Sequence, residues 1–263
     1  TADLLDQAPD LKCICRAGAG VDNIDCDAAA DRGVLVMNTP SANSNAAAEH
    51  SVGLMFALAR NIPQGHGKMS SGGWDRKKLV GIELEGKTLV VIGLGKIGQR
   101  VCRKGSALGM TVIGCDPYVN EADTRALGAE FAELNDALAQ ADFISLHPPL
   151  NDATRGMVND DFIASCKDGV RIVNVSRGPV IDQAALIRGL DSGKVGGAAL
   201  DVFSEEPPAE DDPFRNHPGI ICTPHLGAST VEAQDNVGTQ SAHQVVAYLS
   251  EGQVENAVNA PRL

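Results

Sequence analysis

Positive charge is scarce in this 263-residue sequence: 22 lysines and arginines stand against 34 aspartates and glutamates, a net charge of −12. That balance excludes nucleic acid and anionic membrane as main partners, so an anionic ligand must be met by local positive groups. No apolar run approaches the roughly twenty residues that span a bilayer, and the N-terminus lacks a basic, apolar, small-residue signal pattern. The seven cysteines include Cys13-x-Cys15 but no C-x-x-C pair. Their apolar or helical contexts, such as Ile113-Gly-Cys115 and Val101-Cys102, are those of reduced core residues in a cytoplasmic protein. His50, His66, His217 and His243 form no metal-ligand pattern with cysteines or acids, and no metal is expected. Solenoid-period repeats and low-complexity tracts are missing as well. The chain opens on Thr1 inside a helical pattern, as a trimmed or partial chain would.

What is present is organised around Thr88-Leu-Val-Val-Ile-Gly93-Leu-Gly95-Lys-Ile-Gly98, an apolar run that passes into glycines spaced G-x-G-x-x-G. That is the layout of a strand, a tight turn and a helix. Gly93 permits the turn, Gly95 lets a backbone approach a pyrophosphate, and Gly98 lets the helix pack closely on the strand. The free N–H groups at the helix start then face the anion. Such a glycine pattern is weak alone, but Thr111-Val-Ile-Gly-Cys-Asp116 supplies a second strand ending in an acid eighteen residues after Gly98. A carboxylate there can accept hydrogen bonds from an adenosine ribose. Pro117 and Tyr118 follow with no arginine to meet a 2′-phosphate, which favours NAD over NADP.

Apolar strands without period-2 alternation are expected at Thr88–Ile92, Thr111–Cys115, Phe143–Leu146, Val170–Val175, Gly197–Leu200 and Ile220–Cys222. They alternate with helices at Lys96–Leu108, Glu121–Leu127, Glu133–Gln140, Asp160–Ser165 and Gln183–Ser192. The fold class is therefore α/β, a doubly wound parallel sheet covered on both faces. Ahead of it, a strand at Leu11–Arg16, the turn Ala17-Gly18-Ala19-Gly20, a helix at Val21–Gly33 and a strand at Val34–Met37 form a βαβ unit too small for a domain. A helix from Ala46 to Asn61, with an apolar face of Val52, Met55, Phe56 and Ala59, connects the two parts. A short helix and the loop Trp74-Asp-Arg76-Lys-Lys lie between Ile62 and Glu85; the loop suits a solvated surface as readily as an interface or substrate role. Thr230–Ser250 reads as a long helix and Val254–Pro261 as an extended segment. The expected domains are 1–39, a partial substrate domain; 40–228, the nucleotide domain; and 229–263, returning to the first.

Ligands of such sheets bind outside the carboxyl ends of the strands. Arg177, Glu206 and His225 all lie there, and their types fit oxidation at a hydroxyl-bearing carbon. A guanidinium forks onto a carboxylate and polarises a neighbouring carbonyl. A histidine exchanges the hydroxyl proton, and a carboxylate beside it favours the imidazolium and fixes its orientation. Singly, each has an ordinary reading: a surface ion pair, a member of an acidic loop, a turn histidine. Together at consecutive strand ends they favour the chemical one. Asp201 either accepts a hydrogen bond from a nicotinamide carboxamide or caps its loop, the first being preferred. His147, before Pro148 and Pro149, reads as a spacer beside the adenosine rather than a second base.

These residues resemble the D-2-hydroxyacid dehydrogenase family over essentially the whole chain. The similarity is carried by Arg16-Ala-Gly-Ala-Gly-Val-Asp-Asn, Val36-Met-Asn-Thr-Pro, the Gly93–Gly98 turn, Asn174-Val-Ser-Arg177-Gly, Ala199-Leu-Asp-Val-Phe-Ser-Glu-Glu206-Pro-Pro and Pro224-His225-Leu-Gly-Ala-Ser. It implies a catalytic set of Arg177, Glu206 and His225. It also implies NAD contacts at Gly93, Gly95, Lys96, Ile97, Gly98, Asp116, Pro148, Val175, Ser176, Arg177, Asp201, His225, Leu226, Gly227 and Ala228. Arg16, Gly18, Asn43 and Arg177 become the candidate substrate contacts. The implied substrate is a small phosphorylated 2-hydroxy acid, D-3-phosphoglycerate; a sibling reductase of hydroxypyruvate or glyoxylate, or an NAD-sensing corepressor scaffold, are the alternatives. A homodimer or larger homo-oligomer through the NAD domain is implied, with the Trp74 and Arg76 loop reaching the partner. Relatives often carry threonine in place of Ala19 and Pro148, a further N-terminal stretch of roughly sixty residues, and C-terminal regulatory domains.

Overall fold

A computed structural model describes residues 1–259 and 261. In chain order it begins with α1 (Ala2–Asp6), β1 (Cys13–Arg16), α2 (Cys26–Asp31) and β2 (Leu35–Asn38). Next come α3 (Ser44–Arg60), α4 (Ile62–Ser70), β3 (Thr88–Ile92), α5 (Lys96–Ala107), β4 (Thr111–Cys115), α6 (Glu121–Ala126), β5 (Glu130–Phe131) and α7 (Leu134–Leu138). The rest are β6 (Phe143–Leu146), α8 (Asp160–Ser165), β7 (Val170–Asn174), α9 (Gln183–Asp191), β8 (Val195–Leu200), α10 (Pro213–Asn216), β9 (Ile220–Cys222) and α11 (Val231–Glu251). Two compact units result: 1–46 with the chain from Ala228 onward, and Ala47–Gly227. They part at 46/47 and 227/228, where the sequence suggested 39/40 and 228/229.

In the larger unit all seven strands run parallel in the order β5-β4-β3-β6-β7-β8-β9. Successive side chains of a strand point to opposite faces, and here both faces are apolar. Leu89 and Val91 of β3 enter one buried cluster with Val101, Cys102 and Phe143, while Val90 and Ile92 enter another with Ile144, Leu146 and Ile172. The doubly wound sheet is thus as expected. β3 leads to β4 and β5 on one side, and the chain then crosses back to β6 on the other. That reversal puts a crevice at the carboxyl ends of β3 and β6, where such sheets receive ligands.

The smaller unit has a two-stranded parallel sheet, with Cys13 opposite Leu35 and Arg16 opposite Asn38. Leu5, Ala29, Val34 and Val36 form its core, and α11 packs against β1. Its closure is late in sequence: Ala257 bridges Met37 in antiparallel fashion. Asn259 accepts from Val36 N–H at 2.8 Å and donates to the carbonyls of Cys26 and Val34. Of the extended segment expected over Val254–Pro261, Ala260 lies outside the described residues.

Three local expectations need correction. The helix read over Val21–Gly33 is only Cys26–Asp31, because Asp25 caps it by accepting from Ala28 N–H at 2.9 Å; a carboxylate at that position starts a helix. The apolar face of α3 is Ala48, Met55, Leu58 and Ala59, and Phe56 is turned outward. β5 is an added edge strand. The cysteines are free thiols, with Cys102, Cys115 and Cys166 buried and the other four half-buried. Burial pushes the Cys102 and Cys115 thiols up to about 12. Among the described residues no helix is long and apolar enough to cross a membrane.

Candidate active site

Gly93, immediately after β3, has φ 89°. A Cβ on it would lie 2.6 Å from the His147 carbonyl carbon, so the turn touches the backbone that leaves β6. A Cβ on Gly98 would overlap the Gly93 carbonyl oxygen. The two glycines therefore let α5 start directly against the strand end. Gly95 is the N-cap of α5 and supplies no side-chain cap; beyond its chain neighbours, a Cβ there would meet no atom of the described residues within 4 Å. The opening amides of a twelve-residue helix thus face open space bounded by glycine backbone, which fits a pyrophosphate.

Asp116, at the end of β4, accepts from Leu94 N–H at 2.8 Å and from Tyr118 N–H at 2.9 Å, so its carboxylate is fixed beside that turn. Lys96 is exposed and Ile97 half-buried on the first turn of α5, and Pro148 is buried after β6. Burial pushes the His147 imidazole down to about 3. Its Nε2 pairs with the Ser145 hydroxyl at 2.8 Å, and its buried Nδ1 has no hydrogen-bond partner among the described residues. Val175 and Ser176 follow β7 and are buried; Asn174 Oδ1 accepts from both the N–H and the hydroxyl of Ser176. These groups fit the adenosine and pyrophosphate parts of a dinucleotide.

The next three strand ends are adjacent in the sheet. Arg177 follows β7, and its guanidinium donates to the Ser176 carbonyl at 2.7 Å while its own carbonyl accepts from Asn174. His225 follows β9, half exposed, and its Nδ1 lies 2.6 Å from Glu206 Oε2. The other Glu206 oxygen accepts from Phe203 N–H at 3.0 Å, which anchors the carboxylate to its own loop. A short contact of this kind is charge-assisted and leaves Nε2 of the ring to face outward.

Asp201, after β8, is fully buried. Its Oδ1 accepts from Thr223 at 2.6 Å, from Leu226 N–H at 2.7 Å and from His50 Nε2 at 3.1 Å; Oδ2 accepts from Gly227 N–H at 2.8 Å. Burial alone would raise its pKa, but the hydrogen bonds from His50, Thr223 and Leu226 outweigh it and hold the carboxyl below its ordinary value. Asp201, Leu226 and Gly227, singled out from sequence as cofactor contacts, are thus brought together by their own hydrogen bonds; Ala228 belongs to the smaller unit.

The remaining candidates also lie in that unit. Gly18, with φ 147°, donates its N–H to Thr39 at 2.7 Å and accepts from Thr39 N–H at 3.0 Å, so the Arg16–Gly20 turn is pinned to the end of β2. The Arg16 guanidinium folds over Gly18 and donates to the Ala17 carbonyl. Asn43 Oδ1 is buried with no hydrogen-bond partner among the described residues.

Two participants escaped the sequence reading: His50 and Thr223, both bound to Asp201. The available signal was position, since His50 stands four and eight residues before Leu54 and Leu58 on the buried side of α3.

Residues 52–227 match the family described as D-isomer specific 2-hydroxyacid dehydrogenase, NAD binding domain. D-3-phosphoglycerate dehydrogenase of Methanocaldococcus jannaschii is 48% identical over 264 residues, covering 100% of this chain and 50% of that protein. The chloroplastic D-3-phosphoglycerate dehydrogenase 2 of Arabidopsis thaliana is 49% identical over 251 residues, 95% of this chain and 40% of the relative. Among solved structures, a glyoxylate reductase from Paecilomyes thermophila superposes with a TM-score of 0.89 at 35% identity, over 98% of this chain and 78% of that one. The chain spans half or less of the length of these curated relatives.

Proposed function

The chain belongs to the D-isomer specific 2-hydroxyacid dehydrogenase family and carries its NAD binding domain; from that premise we propose that it works in the NAD-dependent oxidation of D-3-phosphoglycerate to 3-phosphohydroxypyruvate, the step that commits carbon to serine. The observation that carries this reading is the 2.6 Å contact between His225 Nδ1 and Glu206, at the same carboxyl edge of the sheet as the dinucleotide turn. The contact serves any 2-hydroxy acid; the relatives of that name at 48–49% identity favour the phosphorylated substrate over smaller ones.

NAD, when bound, supplies the acceptor for the hydride leaving C2. His225 Nε2 takes the hydroxyl proton, and Glu206 stabilises the imidazolium and holds the ring with Nε2 turned to the reacting oxygen. Arg177 pairs with the substrate carboxylate and polarises the developing carbonyl. We assign further substrate contacts to Arg16, Gly18 and Asn43. NAD contacts are assigned to the Gly93–Gly98 turn, Asp116, Pro148, Val175, Ser176, Asp201 and residues 225–228. The functional form is a homodimer through the NAD domain, and seven free thiols suit the reducing cytoplasm.

The test is NADH formation at 340 nm (the absorbance of reduced nicotinamide) with D-3-phosphoglycerate, D-glycerate, D-lactate and glycolate, repeated with Glu206→Gln and His225→Ala. Turnover with the phosphorylated acid, reduced roughly 10²-fold or more in both variants at unchanged NAD affinity, is expected. Turnover only with unphosphorylated acids makes this a sibling dehydrogenase. NAD binding with no turnover on any acid would favour a scaffold role.

A further inference from the structure

We propose that His50, on α3, is a positioning residue for the proton-transfer pair: it locks the Asp201 carboxylate, which in turn holds the Leu226 and Gly227 amides of the turn that His225 begins. The inference rests on the reading of His225 and Glu206 as that pair. Asp201 grips three successive amides, taking His225 N–H on its main-chain oxygen at 2.9 Å and the N–H groups of Leu226 and Gly227 on its carboxylate. The turn needs that grip because His225 has φ 54°, a left-handed conformation disfavoured for a residue with a Cβ.

Most donors to the carboxylate cannot fix its orientation. Thr223, Leu226 and Gly227 belong to the very loop that is being held, so they move with it. His50 comes from elsewhere: α3 is anchored independently by Met55, Leu58 and Ala59, all buried. The protons also assign themselves. An ionised carboxylate only accepts, so His50 Nε2 carries the hydrogen. Thr223 donates to Asp201 at 2.6 Å and therefore accepts from His50 at 3.1 Å. His50 thus ties the loop hydroxyl and the carboxylate to the helix with one N–H.

The test reads the ring directly, in long-range ¹H–¹⁵N spectra of the histidine-labelled chain in mildly alkaline buffer, with His225 assigned by its loss in His225→Gln. A ring whose Nδ1–H is captured by Glu206 is held as the Nδ1–H tautomer. In His50→Ala the ratio of that tautomer to the Nε2–H form falls about fivefold, the equilibrium equivalent of one ordinary hydrogen bond. His50→Gln, which presents an amide N–H at a similar reach, restores it. Thr223→Val gives a smaller fall in the same direction and decides the matter if His50→Ala does not fold. A folded His50→Ala protein with lower thermal stability but an unchanged ratio overturns this proposal alone and leaves His50 a merely structural residue. An Nε2–H tautomer at His225 in the unaltered chain overturns the pair itself.

Discussion

His147 carries an electrostatic cost that its neighbours do not relieve. Burial pushes its pKa down to about 3, and among the described residues its side-chain partner is the Ser145 hydroxyl. In the unfolded chain a histidine titrates near ~6.5, so between that value and about 3 the unfolded state holds a proton that the native state refuses. Stability is therefore full above that range and falls as the pH drops through it, by up to about 1.4 kcal/mol per unit. Urea unfolding at neutral and acidic pH should show this slope, and His147→Gln, which cannot titrate, should flatten it. The same slope in both proteins would mean that the ring charges freely. Residue by residue, legibility followed sequence distance. Arg177, Glu206 and His225 stand out because each lies beyond an apolar strand. The reach of Glu206 to His225 was hidden, since it depends on the loop bond to Phe203 N–H. His50 was hidden more deeply, its partner Asp201 being 151 positions away.

Among the elements, the strand–turn–helix of β3 and α5 separates two demands that one glycine motif merges. Gly95→Ala adds a methyl that meets no atom of the described residues within 4 Å beyond its chain neighbours, so the fold should stand while NAD affinity drops. Gly98→Ala drives a methyl into the Gly93 carbonyl and should cost about 1–3 kcal/mol of stability, in the range of other overpacking changes. Thermal unfolding and NAD calorimetry on both variants check this; equal affinity for NAD in Gly95→Ala and the unaltered chain would count against a pyrophosphate at this turn. The long strands were legible because burial on both faces makes a continuous apolar run. β5 was not: Glu130-Phe131 pairs through only Ile113 and Gly114, too short for periodicity to register. The early part of the Val21–Gly33 run failed as helix because Asp22 and Asn23 favour turns and Asp25 already caps the helix at Cys26.

For the molecule as a whole, the lone tryptophan is a built-in reporter. Trp74 is 76% exposed, and Ile62, Met69 and Val80 of the same stretch are exposed as well. If the proposed homodimer covers this stretch, emission should move to shorter wavelength as concentration rises, in step with the mass measured by sedimentation. A dimer by sedimentation with unshifted emission would put the interface on another face. The acidic balance, −12 overall, means that any anionic ligand must be met by local positive groups against a repulsive background, as the composition alone suggested.

The smaller unit is closed by residues 256–259 against β2, while the larger unit is one unbroken stretch of chain. On the ribosome this imposes an order. Residues 47–227 can complete their sheet as they emerge, whereas β2 has to wait for its C-terminal partner, roughly ten to forty seconds later at about 5–20 residues per second. For that interval the nascent chain offers Val36 and Met37 without the segment that covers them. Chaperone capture during translation should therefore centre on the segment around β2, although it is made before the larger unit.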